Sequence, residues 1–298
     1  MFICHPTTLM NSDLLQKINS PPSHWTPGPR TLLRLTGADR LRFLNGQVTQ
    51  DIKKLPPGHA VRSAITSSKG RLEADLHIAA TPDSLLLETD FSLRESIRSR
   101  IEKFIVADDV TLEDISSSYT LAHYTALSAP PADAPKDALS FLCPRFREPG
   151  LDIWIPTTST WRPNSTPLSD WEPLRIARGL PLWGVDVGPD TLPPEAGFES
   201  DAISSTKGCY IGQEVMSRLR SVGHVNRHLC VLGTPSDSPQ GVGECTNSDG
   251  VVAGKISSLA PMFHFSMTLA LAMIKRDYAA VGNSVLAEGA SWTIIRHA

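Results

Sequence analysis

The sequence shows no marked excess of either charge. Its 298 residues include 28 basic and 31 acidic side chains, which give a formal net charge of −3 at pH 7. Proteins that bind RNA or DNA usually concentrate Lys and Arg on one face and have a basic balance. The composition therefore argues against a nucleic acid as the partner.

Paired cysteines, a leader segment and long apolar runs are also missing. The longest apolar stretch, residues 267–274, is too short to cross a bilayer, and the N-terminus lacks a signal-peptide pattern. Because no Cys or His lies at zinc-site spacing from another Cys, we expect no bound metal. We interpret the chain as a cytoplasmic protein with reduced thiols and no membrane association. Its cysteines are Cys4, Cys143, Cys209, Cys230 and Cys245.

The order of predicted elements indicates an α+β fold, in a chain long enough for two or three domains. Ser92 and Glu95 form a predicted capping box for a helix that runs through Phe104. From residue 228 onward, short strands separated by turn residues indicate a small barrel or sandwich. The earlier predicted strands cover residues 31–35, 59–66, 71–79, 84–89 and 119–127.

Residues 207–214, Lys-Gly-Cys-Tyr-Ile-Gly-Gln-Glu, form the most reactive stretch of the sequence. The thiolate of Cys209 would be the nucleophile or metal ligand, and the positive charge of Lys207 would favour it. Gly208 and Gly212 permit tight backbone conformations and close approach of a ligand. The alternative is a buried structural cysteine, the commonest fate of a free Cys. The residues alone leave both interpretations open.

A second cluster, residues 193–198, places Glu195 between two prolines and a glycine. A carboxylate held this firmly suits paired hydrogen bonds to an amino-heterocycle such as a pterin or guanine. Trp183, a little upstream, is the tryptophan that we consider for stacking on such a ring. A solvated loop acid and an ordinary core tryptophan are the alternatives.

Two further patterns carry polar groups. A Ser-, Lys- and Gly-rich turn at residues 67–71 leads into Glu73 and Asp75, which can line a pocket or form an ordinary polar face. Arg218, Arg220 and Arg227 can hold carboxylates such as a glutamate tail, or lie in solvent.

Taken together, these motifs resemble the YgfZ-type folate-binding proteins. That family is related to the aminomethyltransferase, or T-protein, of the glycine cleavage system. The octapeptide at residues 207–214 resembles the family's cysteine signature, and three further stretches agree in order and spacing. The resemblance extends over roughly residues 30–295, and the further stretches are residues 37–51, 69–75 and 175–197.

The resemblance implies a three-lobed T-protein-like α+β architecture with a central folate channel and a small C-terminal β-barrel. It implies a discontinuous folate-binding domain at residues 1–45 and 129–225, a second α+β domain at 46–128 and the barrel domain at 226–298. In the T-proteins a glutamate that corresponds to Glu195 holds the pterin, and the catalytic aspartate belongs to an Asp-Asp doublet. This sequence has Ala74-Asp75 at the doublet, and the T-proteins lack the cysteine signature.

The resemblance also implies a function: a monomeric, folate-binding accessory protein for assembly or maintenance of iron–sulfur cluster enzymes. Tetrahydrofolate or a derivative would be the cofactor, and iron–sulfur enzymes or cluster-assembly proteins the partners. Two alternatives remain: a tetrahydrofolate-dependent aminomethyl- or methyltransferase that uses Asp75, and a folate-binding relic in which the thiol has no role. The implied reactive pair is Cys209 and Lys207. The motif is completed by Gly208, Gly212 and Glu214. The implied folate contacts are Asp75, Glu195, Trp183, Tyr210, Gln213 and Arg218.

Overall fold

The structure, a computed structural model, describes residues 23–167, 171–238, 240–262 and 266–298. Internal contacts divide the chain into two compact units. One, here the sheet unit, holds the described parts of residues 18–168 and 198–216; the other, the barrel unit, holds those of 169–197 and 217–298. The three-domain division proposed from the sequence stays a prediction. The helices are α1 (Arg40–Gln47), α2 (Arg94–Glu102), α3 (Trp171–Ala177) and α4 (Gln213–Ser221).

The first sheet of the sheet unit is antiparallel throughout, with the strand order β3-β4-β5-β2-β6. Along the strand Leu72–Ala80, buried and partly exposed side chains alternate from Leu72 to Ile78 as the sequence pattern predicts. The strands of this sheet are β2 (Arg30–Thr36), β3 (Ala60–Thr66), β4 (Leu72–Ala80), β5 (Leu85–Asp90) and β6 (Thr111–Asp114).

The second sheet of the same unit has the order β10-β1-β7-β9-β8, with one parallel pair, β1 with β10. Leu32 and Leu86 of the first sheet share one buried cluster with Leu121 and Trp154 of the second. The two sheets therefore bury their apolar faces in a common core. The strands are β1 (Ser23–Trp25), β7 (Tyr119–Thr125), β8 (Leu139–Leu142), β9 (Gly150–Pro156) and β10 (Thr166–Pro167).

The barrel unit contains a closed six-stranded barrel in the order β11-β14-β13-β12-β15-β16. Its interior is filled by apolar side chains around the fully buried Trp292, including Leu232 and Ile274. This confirms the α+β class and the C-terminal β-barrel. The strands are β11 (Arg227–Pro235), β12 (Gly243–Thr246), β13 (Val252–Met262), β14 (Met267–Lys275), β15 (Ser284–Ala287) and β16 (Ala290–His297).

The predicted capping box at Ser92 is wrong. A 3₁₀ turn, Phe91–Leu93, precedes α2, and Leu93 at the helix N-cap makes no side-chain cap. Asp90 supplies the cap instead, because its carboxylate accepts the backbone N–H of Ser92 at 2.9 Å. A carboxylate two residues upstream thus captures the N–H of the predicted capping residue.

Within the described ranges, no helix combines the length and the apolar character needed to cross a membrane.

Candidate functional site

The reactive octapeptide lies in the sheet unit and does not form one regular element. Residues 207–212 have no helix or strand, and α4 begins at Gln213. Cys209 is a free, exposed thiol, whereas Lys207 and Tyr210 on either side of it are buried. We call residues 198–212 the strap, since after the 3₁₀ turn Phe198–Ser200 they lead up to this helix with no further helix or strand.

Lys207 anchors the strap to the end of α1 and the segment that follows this helix. Burial lowers the pKa of its ammonium group to about 8. The ammonium group also lies 5.2 Å from the ring centroid of Tyr210. The ammonium group donates to the backbone carbonyls of Asn45 at 2.7 Å, Val48 at 2.6 Å and Gln50 at 2.9 Å. All three of its N–H donors are thus used inside the protein, and the part of Lys207 in the chemistry of Cys209 stays a prediction.

The turn between β3 and β4 holds the other end of the strap. Thr66 donates from Oγ1 to the carbonyl of Ile211 at 2.5 Å. Gly212 has φ +87°, and a Cβ there would lie 2.6 Å from the carbonyl oxygen of Ser67. Only glycine fits this conformation and this approach without strain. The polar turn noted in the sequence therefore contacts the octapeptide directly.

The other described cysteines differ from Cys209 in exposure. Cys143, Cys230 and Cys245 are all buried. Burial raises the pKa of Cys230 to about 12 and that of Cys245 to about 11, and it raises the pKa of Cys143 well above the ordinary value. Among the residues that the structure describes, Cys209 is thus the thiol accessible to a partner or reagent. Cys4 lies outside these residues.

Asp75 lies on β4 in the same unit and is held by an arginine that the sequence did not single out. Arg62 on β3 donates to both carboxylate oxygens, at 3.0 and 2.7 Å. Arg62 is 6% exposed. Burial lowers its pKa, but Asp75 and Asp201 outweigh this and raise the pKa above the ordinary value. Asp75 is therefore a paired carboxylate rather than a free base.

Glu195 belongs to the barrel unit, in the 3₁₀ turn Pro193–Ala196. Its side chain is buried, and one oxygen accepts the Leu192 N–H at 2.9 Å. The other oxygen lies 3.0 Å from Nε of Arg227 at the start of β11. The rigid turn predicted from the flanking prolines thus fixes a buried carboxylate, and Arg227 contacts that carboxylate.

Trp183, in the same unit as Glu195, is half-buried in a tight turn. The buried Asp186 stabilises this turn by accepting the Leu182 N–H at 2.9 Å. Asp186 also accepts a hydrogen bond from Arg175 at 2.9 Å. These contacts hold the turn that carries the Trp183 ring.

The remaining predicted site residues lie on or next to α4. Gln213 is partly buried and donates its backbone N–H to the Tyr210 carbonyl at 3.2 Å, while Glu214 and Arg218 are exposed. Of the predicted residues, the structure thus brings Lys207 and Tyr210 together, and it pairs Glu195 with Arg227.

Two of three comparisons with known proteins found similar proteins. No family model matches the chain. The chain is 27% identical over 239 residues to the tRNA-modifying protein YgfZ of Yersinia enterocolitica, covering 72% of this chain and 71% of that protein. Its fold matches the crystal structure of glycine cleavage system aminomethyltransferase T from Bartonella henselae, with a TM-score of 0.76 and 15% identity over 92% of this chain and 85% of that one. The chain is thus similar in sequence to YgfZ proteins and has the fold of aminomethyltransferase T.

A plant member of the same set of relatives is a putative chloroplastic transferase of Arabidopsis thaliana. It is 26% identical over 288 residues, which cover 85% of this chain and 65% of the plant protein. The chain therefore spans about two thirds of the length of these relatives.

Sequence analysis missed a buried ionic cluster in the sheet unit. Arg145 donates to Asp152 at 3.1 and 2.6 Å and to Glu88 at 3.0 Å. His123 lies 2.8 Å from Asp152, and His77 lies 3.1 Å from Glu88. The usable signal was an acid within each of two mostly apolar strand sequences, Glu88 in residues 85–90 and Asp152 in residues 150–156. A charge in such a strand needs a buried partner. In the described ranges, no three His, Cys, Asp or Glu side chains come together as metal ligands would.

Proposed function

We propose that this YgfZ-type protein is a folate-binding accessory factor for iron–sulfur cluster enzymes and acts through Cys209. The observation that carries the proposal is an exposed thiol on a strap that is anchored on both sides, by Lys207 and by Thr66. Such anchoring fixes the position of a reactive group, as catalytic and binding sites require.

The chemistry of Cys209 is a transient contact. A cluster needs several Cys ligands, so one thiolate does not hold a cluster by itself. A thiolate can occupy one coordination position on a cluster that a client enzyme already holds, or attack an electrophilic group on a partner. The cluster is in this proposal the cargo of the client enzyme and not a cofactor of this chain.

Tetrahydrofolate or a derivative is the proposed cofactor. The side chains suit it, because each oxygen of the buried Glu195 has one partner, Leu192 N–H or Arg227, and keeps a second lone pair for the amino group and ring N–H of a pterin. Trp183 would stack on the ring, and Asp75 is a further contact that the family resemblance implies. Tyr210, Gln213 and Arg218 are the further proposed contacts.

Replacement of Cys209 in the host tests the proposal. We expect Cys209→Ala to lower the activity of iron–sulfur enzymes without affecting enzymes that lack a cluster. Ser205→Ala is the matched control, since Ser205 is also exposed on the strap. Normal activity of iron–sulfur enzymes in the Cys209→Ala strain would reject the proposal. If that variant also bound folate, the protein would be a folate-binding relic in which the thiol has no role.

A tetrahydrofolate-dependent aminomethyl- or methyltransferase is the second candidate, favoured by the likeness of the fold to aminomethyltransferase T. The pairing of Asp75 with Arg62 argues against it, because both carboxylate oxygens already accept hydrogen bonds from the guanidinium and a general base must reach the substrate's proton. Turnover of a one-carbon donor by the purified protein, abolished in Asp75→Asn, would establish this candidate.

The expected partners and location stay predictions. Several relatives are named tRNA-modifying proteins, and one is chloroplastic. The net charge of −3 still leads us to expect no direct nucleic-acid binding, and we expect a cytoplasmic monomer.

A further inference from the structure

Arg62 lies where the proposed ligand-contacting carboxylate meets the strap. Besides its two hydrogen bonds to Asp75, it donates from a third nitrogen to Asp201, at 3.3 and 3.4 Å from the two oxygens. Its guanidinium carbon is 4.1 Å from the ring centroid of Phe198. Both Phe198 and Asp201 belong to the strap that carries Cys209, so one buried side chain contacts the candidate ligand site and the thiol segment.

Asp201 has a second cationic partner besides Arg62. Arg147 also contacts Asp201, at 3.0 Å, so two arginines face two carboxylates. Asp75 depends on Arg62 for its ion pair, whereas Asp201 has a second arginine. Any donor that occupies Asp75 competes with Arg62 for that carboxylate and leaves Arg62 with Asp201 alone.

The start of the strap is also tied to the segment that Lys207 contacts. The Asp201 carbonyl accepts from the Gln50 amide at 3.0 Å, and the Ala202 carbonyl accepts from Thr49 at 2.7 Å. The Gln50 carbonyl in turn accepts from Lys207 at 2.9 Å. Asp201 lies eight residues before the thiol, in a stretch whose backbone is hydrogen-bonded to the same segment that Lys207 contacts. A change in how Arg62 holds Asp201 therefore shifts the backbone that leads to Cys209.

We propose that Arg62 couples occupancy of the Asp75 carboxylate to the reactivity of Cys209. This inference rests on the proposed folate-binding function. N–H donors of a bound reduced folate other than the pair assigned to Glu195 take over oxygens of Asp75, Arg62 turns toward Asp201, and the position of the strap changes. Arg62 is thus a positioning residue, acting on the thiol through Asp201 and Phe198.

The rate of Cys209 alkylation tests the coupling. It is measured with iodoacetamide in a Cys4→Ser background, by mass spectrometry, with and without 5-formyltetrahydrofolate above its separately measured Kd. We expect saturating folate to change the rate about fivefold or more, the lower end of ordinary coupling between two sites.

Arg62→Lys is the decisive variant. Lysine keeps the charge but cannot bridge two carboxylates with a planar fork, so the rate ratio with and without folate should return to about one while folding is retained. Arg147→Met removes the other cation from Asp201 and leaves Asp75 paired, so the ratio should persist. Circular dichroism checks that each variant is folded.

The outcomes separate the coupling from the proposed function. Folate binding without any change in the wild-type rate overturns the coupling and leaves the proposed function standing. A rate change that persists in Arg62→Lys indicates direct shielding of the thiol and also overturns it. Loss of all folate binding in Arg62→Lys makes Arg62 a binding residue and not a coupling one. Absence of folate binding by the wild type overturns the proposed function and this inference together.

Discussion

The two glycines of the octapeptide have different local surroundings. Gly212 has φ +87° and approaches the Ser67 carbonyl, whereas a Cβ on Gly208 would meet no atom within 4 Å. Sequence reasoning assigned both the same permissive role. The difference arises from the turn between β3 and β4, which is far from the octapeptide along the chain.

Gly212→Ala is therefore expected to destabilise the protein by about 1–3 kcal/mol through backbone strain, with a further cost from the clash. Gly208→Ala should be close to neutral. Urea unfolding of the two variants measures this difference. Equal free energies of unfolding would contradict the structure of the strap.

Lys207 gives a prediction about pH. Because burial lowers its pKa to about 8 in the folded state, the unfolded chain binds its proton more tightly, up to its ordinary value of 10.5. Stability therefore rises with pH between these two values. Relative to Lys207→Met, the wild type should gain about 1 kcal/mol across this range, after allowance for solvent screening. If the carbonyl hydrogen bonds outweighed burial, the difference would fall instead.

At the scale of elements, the buried cluster around Arg145 joins the two sheets of the sheet unit. It connects Glu88 on β5 with Asp152 on β9. Arg145→Met leaves two buried carboxylates short of a partner and should cost about 3–5 kcal/mol. Arg34→Met breaks an exposed pair with Glu113 and should cost no more than about 1 kcal/mol. Denaturant unfolding compares the two; similar losses would reject a structural role for the cluster.

The elements themselves were the most predictable part of the fold. Strand β4 follows its alternation of apolar and polar residues, and the barrel follows the regular turns after residue 228. The signals for both are local in the sequence. The contacts of Arg62 and Lys207 were not predictable, because Lys207 meets carbonyls more than 150 residues earlier and Arg62 reaches Asp201, 139 residues later. Only the tertiary structure brings such partners together.

At the scale of the whole molecule, the pKa values of several described histidines and carboxylates are shifted, and all of these shifts are downward. Burial lowers the pKa of His24, His123 and His228. Burial alone would raise the pKa of Glu88, but Arg145 and Arg30 outweigh it and hold the value well below the ordinary one. In each case the unfolded chain binds protons at a higher pH than the folded chain does.

Acidification should therefore destabilise the protein in two stages. The histidines contribute as the pH falls through their ordinary value of 6.5, and Glu88 contributes below its ordinary value of 4.5. Between pH 7 and pH 5 we expect the free energy of unfolding to fall, because the unfolded chain takes up protons on these histidines before the folded chain does. Urea titrations at the two pH values measure this loss. In His123→Asn, which cannot take up the proton, the loss should be smaller; an equal loss would show that His123 does not contribute, and stability that rises on acidification would contradict the sign of these shifts.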